Sequence, residues 1–186
     1  MYISVLTLQT QTSDIPENYY ANNDINILRS KYDLSDVFGT GSSFYPESPV
    51  SVKEVILLYG KVAGNLINST GLDLKQKCTK LGLDTILNSS DAMSDIQRQE
   101  YAAVLAKLFV LKMGVSLDSL SPSRNLSIKD EVNVSSKYIK PVLICLDSSI
   151  LTLDEKMNFR PEEPMTRAEV VTAVVRLLKM TGDIDP

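Results

Sequence analysis

The chain is 186 residues long, 44% hydrophobic and 23% charged, with a formal net charge of -4. That is enough apolar material for one compact domain, with none of the basic excess of a nucleic-acid binder. It contains no His and no Trp, which excludes Ser-His-Asp and Cys-His catalysis and the HExxH zinc motif and leaves any stacking on sugar rings to Tyr or Phe.

Residues 1–8 carry neither a basic leader nor a long apolar run and do not read as a secretory signal. A short helix is expected over residues 20–34, with Ile25 and Leu28 on one face. Phe44-Tyr45-Pro46-Glu47-Ser48-Pro49 follows. It reads as an aromatic anchor and a Pro-stiffened turn that deliver the chain to a helix N-cap. Ser51 is that cap, with Glu54 at the capping-box position. Val55, Tyr59 and Val62 then recur at the helical period up to Gly64, a plausible stop.

The second unit repeats the plan in a degraded form. A short helix is expected over 74–83, around Cys78 and Leu81. The next long helix has Glu100, Tyr101, Leu105 and Leu108 in the same frame, with Asp95 or Gln97 before its first turn and Gly114 after it. Ser90 and Ala92 stand where the Phe and the first Pro would be. Lys107 and Lys112 bound the apolar run of residues 108–111, far short of a bilayer span.

Residues 115–134 are Ser-rich and polar, include Pro122, and read as an insertion or exposed loop. A third short helix is expected over 138–150, with Tyr138, Val142, Cys145 and Leu146 on one face and Pro141 tolerable only in its first turn. Phe159-Arg160-Pro161-Glu162-Glu163-Pro164 then leads to the N-cap Thr166, with Glu169, Val170, Val174, Arg176 and Leu177 in frame and Gly182 at the end. Residues 51–56, 97–102 and 166–171 therefore align without gaps, each with Glu at the fourth position. The reading is one domain over 1–186, all-α, made of three helix-loop-helix repeats at about 12–67, 72–114 and 126–182 with a polar insertion at about 115–134. One helix pair cannot bury its apolar face alone, so the three are expected to share a core.

The remaining signals are weak. Cys78 and Cys145 are too few for a zinc site of thiolates and read as small buried hydrophobes, a single disulfide being the alternative. Asn68, Asn88, Asn125 and Asn133 each begin a glycosylation-acceptor triplet. Gly39-Thr40-Gly41 lacks the third Gly and the Lys of a phosphate loop. Asp14, Asp130 and Asp154 are carboxylates that nothing in the sequence brings together for acid–base work, and no enzyme, metal or cofactor is expected.

Phe159-Arg160-Pro161 followed by Met165-Thr166-Arg167-Ala168-Glu169 resembles the signature of the surface-layer homology domain family. Asp14-Ile15-Pro16-Glu17-Asn18-Tyr19-Tyr20-Ala21 resembles the opening of such a repeat, with Tyr20 where the family usually has Trp. The second copy resembles it mainly through Arg98 and Glu100.

The resemblance implies a pseudo-threefold unit that anchors a protein non-covalently to the bacterial cell wall. The usual ligand is a secondary cell-wall polysaccharide attached to peptidoglycan, often carrying a pyruvate ketal. The family's groove Arg falls on Arg167 and Arg98. The first copy has Val52 there, so its groove is expected to be weak unless Lys53 substitutes. Tyr20 and Tyr138 are the candidates for stacking on sugar, while Phe44, Pro46, Phe159 and Pro161 are expected as anchors and Glu54, Glu100, Thr166 and Glu169 as caps. The implied location is the cell surface, with any export signal removed or outside this sequence. The alternative is a structural or protein-interaction module that packs on another region of a larger surface protein and binds no glycan.

Overall fold

The structure, a computed structural model, describes residues 13–66, 71–84, 91–122 and 126–185. These residues form helices joined by turns and isolated bridges, with no strand among them, as an all-α reading requires. Residues 1–8, Asn68, Asn88, Ser90 and Asn125 lie outside the described residues, whereas Asn133 is exposed in a single 3-10 turn.

In the first of the three segments read from the sequence as copies, α1 (Asn22–Lys31) buries Ile25 and Leu28. It stops before the expected end because Tyr32 is extended, and Asp33 Oδ1 accepts the Ser35 amide to start a separate turn, α2 (Ser35–Phe38). The long helix α3 (Val52–Ala63) opens on a complete capping box between Ser51 and Glu54, an arrangement that contributes about 1 kcal/mol. Helix α4 (Leu74–Lys80) has its own box from Asp73 and Gln76. Helix α5 (Arg98–Met113) begins after Gln97, not Asp95, and its Glu100 Oε2 accepts the Gln97 amide. Gly114 closes it in the left-handed conformation that glycine adopts without steric cost. Tyr138 ends a 3-10 turn, so α6 (Ile139–Asp147) starts one residue later than expected, with Pro141 in its first turn. Helix α7 (Arg167–Met180) is capped by the Thr166–Glu169 box.

The polar stretch at 115–134 is only partly an excursion. Ile128 and Val134 are buried in the core, because apolar side chains at those two places draw its C-terminal part into the third copy. Cys78 and Cys145 are buried and not joined in a disulfide, and Cys145 Sγ donates to the Ala102 carbonyl.

Helix α4 packs on α3, α6 on α5, and α1, from the start of the chain, on α7 at its end, while α2 packs on α3. The long helices converge where Val55, Leu58 and Tyr59 of α3 meet Tyr101 and Leu105 of α5 and Val174 of α7. The segments before the long helices close a ring of backbone hydrogen bonds. The Val50 amide donates to the Met165 carbonyl at 2.9 Å, the Met165 amide to Ile96 at 3.0 Å, and the Ile96 amide to Val50 at 2.8 Å. All three side chains are fully buried.

This ring also consumes the helix starts, where an α-helix leaves its first amides without intrahelical partners. The amides of Val52 and Lys53 donate to Ser94 and Ala92, those of Arg98 and Gln99 to Glu163 and Pro161, and those of Arg167 and Ala168 to Ser48 and Pro46. The turn before α5 thus caps α3, and the two Pro-containing turns, before α7 and before α3, cap α5 and α7.

Candidate functional site

The two motif arginines occupy corresponding places between copies. Arg98 donates to Glu169 Oε1 at 2.9 Å and to the Thr152 carbonyl at 3.0 Å, with its guanidinium 5.5 Å from the centroid of the Phe159 ring. Arg167 donates to Glu54 Oε1 at 3.0 Å and to the Phe44 carbonyl at 2.9 Å, with its guanidinium 5.3 Å from the Phe38 ring. Phe38 in turn meets Phe44 edge to face. Burial pulls the Arg98 guanidinium below its ordinary value, against the opposing pull of Glu169. Val52, at the corresponding position of the first copy, is fully buried and supplies no guanidinium, and the neighbouring Lys53 is exposed.

The two aromatic anchors are held by one device. Asp14 accepts the amides of Phe44 and Tyr45 at 2.8 and 2.6 Å, and Asp130 accepts those of Phe159 and Arg160, both at 2.7 Å. Burial works to raise the Asp14 pKa, but the two amides outweigh it and hold the carboxyl below its ordinary value. Tyr45 and Arg160 have φ of 54° and 61°, a left-handed conformation that costs a non-glycine residue about 1–2 kcal/mol. The carboxylate clamps hold it in place. In the third copy the result turns Arg160 toward Glu169 Oε1, which it reaches at 2.9 Å.

Around Arg98 the structure opens a cleft of about 260 Å³. Its walls combine Tyr20 of the first copy, Arg98 of the second, and Arg160, Glu169, Thr172 and Arg176 of the third, with residues 150–154 closing one side. Glu169, Thr172, Ala173 and Arg176 share one face of α7, as residues three and four apart do. Tyr20 is 63% exposed and lies 4.7 Å from the Tyr19 ring, so an aromatic face borders the cations. The Thr172 hydroxyl is buried and has no hydrogen-bond partner among the described residues.

Several expected site residues fall elsewhere. Tyr138 is buried in the core under Lys137, not on this cleft. The first backbone amides of α5 and α7, beside the arginines, are occupied by carbonyls of the turns at 161–163 and 46–48. Glu54 and Glu169 cap their helices as expected and also bind an arginine of another copy with the second carboxylate oxygen. Pro46 and Pro161 contribute carbonyls that receive the second amides of α7 and α5. Sequence reasoning passed over Arg160 and Thr172 as site residues. The signal for Thr172 was a lone hydroxyl within the apolar run of α7. For Arg160 it was a cation between the Phe and Pro of the third anchor, where the first has Tyr45.

Residues 127–171 match the family model of the S-layer homology domain. The match takes in Asp130, the Phe159–Pro161 anchor and the Thr166–Glu169 cap, and so falls within the third repeat expected from the sequence. S-layer homology domains are cell-wall anchoring modules without catalytic activity. No curated protein matches the chain.

Proposed function

We propose that this chain, which carries an S-layer homology domain over residues 127–171, anchors a surface protein to the bacterial cell wall by binding an acidic secondary cell-wall polysaccharide in the cleft around Arg98. The observation that carries this reading is the cleft itself, whose lining combines the exposed Tyr20 with Arg98, Arg160 and Arg176. An aromatic face suits the apolar side of a sugar ring, and guanidinium groups suit a carboxylate such as a pyruvate ketal. The three copies form a pseudo-threefold unit in this reading. It is supported by the closed ring at Val50, Ile96 and Met165 and by the matching Arg98–Glu169 and Arg167–Glu54 pairs. Arg167 serves a second groove against the first copy, and the Val52 junction serves none.

One observation favours a different reading, a structural or protein-interaction module without glycan binding. Both motif arginines are already committed to carboxylates of the same chain. Co-sedimentation with purified walls of the source organism separates the two. Anchoring predicts that the wild-type chain sediments with the walls and that Tyr20→Ala, at an exposed site, binds roughly tenfold more weakly. A folded wild-type chain that stays in the supernatant would establish the interaction module instead.

A further inference from the structure

Three guanidinium groups line the cleft, but two are in use. Arg98 and Arg160 both donate to Glu169 Oε1, and Glu169 Oε2 accepts the Thr166 amide. Arg160 also holds Glu163 at 3.0 Å, and Arg98 holds the Thr152 carbonyl. The other carboxylate of the cleft, Asp154, is tied into its own turn by the amides of Lys156 and Asn158. Arg176 differs from its neighbours. It lines the cleft and is exposed, and it makes no hydrogen bond or ion pair with any described residue.

Three cations and two carboxylates line the walls, and a third carboxylate, Glu163, pairs with Arg160 beside them; none of the three is bonded to Arg176. The two internal guanidiniums would have to give up Glu169 to serve a ligand, and leaving that carboxylate poorly paired is costly. Arg176 gives up only water. We infer that Arg176 is the residue that reads the ligand's charge, taking a singly charged anionic group on a sugar whose ring lies against Tyr20. Arg98 and Arg160 are positioning residues that, through Glu169, fix the wall on which Arg176 stands. This inference rests on the anchoring reading and moves the recognition of the anion from the motif arginines to the third turn of α7.

A singly charged group on a wall glycan can be a carboxylate or a phosphodiester, and a guanidinium accepts either. The test uses the full chain and isolated walls of the source organism, untreated or with carboxyls reduced to alcohols, and compares wild type with Arg176→Gln. Loss of a bond to a charged group predicts roughly ten- to hundredfold weaker binding of Arg176→Gln to untreated walls, with unchanged circular dichroism. If carboxyl reduction weakens the wild type to the same degree and Arg176→Gln no further, the anion is a carboxylate. If reduction leaves the wild type unaffected while Arg176→Gln still fails, it is a phosphodiester, and the role of Arg176 stands. Wild-type binding that Arg176→Gln retains in full would overturn the assignment while leaving anchoring intact. Absence of wild-type binding would overturn both.

Discussion

At the junction of α5 with the third copy, Arg98 meets Glu169 with its side chain 7% exposed; at the junction of α7 with the first copy, Arg167 meets Glu54 with its side chain 16% exposed. The core of the two junctions is one design: a capping-box Glu whose second oxygen holds an arginine of the neighbouring copy, and a phenylalanine ring beside the guanidinium. Their surroundings differ. Glu169 receives a second guanidinium from Arg160, whereas at the matching place after the first anchor stands Tyr45, 60% exposed. Glu54 accepts the Ser51 hydroxyl instead, at 2.8 Å. The motif builds the junction, and the residue after the anchoring Phe sets how much positive charge it carries.

The largest expected effect breaks this comparison at its acceptors. Glu169→Gln removes the charge that offsets two guanidiniums, both with a buried Nε that has no partner among the described residues. Breaking a buried pair from one side costs about 3–5 kcal/mol. Glu169 is 22% exposed, which places the expected loss near the lower end, about 3 kcal/mol. Glu54→Gln leaves one guanidinium unmatched and should cost about half as much. Urea unfolding of the two variants checks the ratio, and equal losses would mean that Arg160 adds nothing to its junction.

Much of this plan was legible in the sequence, because it depends on spacing along one chain. The three Glu markers, the caps at Ser51 and Thr166, and the position of Pro141 follow from helical period and capping chemistry. What could not be read were partners far apart in sequence. Glu169 and Arg98 are 71 residues apart, and a local pattern that identifies Glu169 as a cap is silent about its second oxygen. Asp14 and Asp130 stood out only as unplaced carboxylates, since 30 and 29 residues separate them from the Phe amides they bind. Tyr138 and Tyr20 looked alike because both open a short helix. Exposure separates them: Tyr138 meets the core, whereas Tyr20 lies where α1 crosses to α7.

An intermediate effect sharpens the comparison at the anchors. The Asp14 carboxyl sits below its ordinary value of 3.8 because the Phe44 and Tyr45 amides prefer it charged. A carboxyl depressed on folding stabilises the fold fully above the unfolded value, and that contribution is lost as pH falls through the lower folded value. Asp14→Asn removes the charged acceptor and should cost about 1–2 kcal/mol at neutral pH. The gap between wild type and Asp14→Asn should then close as pH drops below about 3.8. Chemical unfolding between pH 6 and about pH 2.5 measures it, and a gap constant across that range would mean that the carboxylate's charge plays no part in holding Phe44.

The smallest expected effect marks what is particular to the two junctions. Lys61 and Asp36 also form an ion pair, at 2.8 Å, which is shorter than either Arg98–Glu169 or Arg167–Glu54. Distance alone would make it the strongest of the three. Its side chains are 26% and 56% exposed, however, so water screens the attraction and two long side chains lose freedom to make it. Lys61→Ala should therefore change stability by about 0.5 kcal/mol or less, and 1 M salt should erase the difference. Salt should leave much more of the cost of Glu169→Gln, because that pair is shielded by Phe159 and the surrounding turn. Parallel urea titrations at low and high salt separate the two cases. An equal salt response would place the Arg98 junction among ordinary surface pairs and remove the reason for treating it as the rigid wall of the cleft.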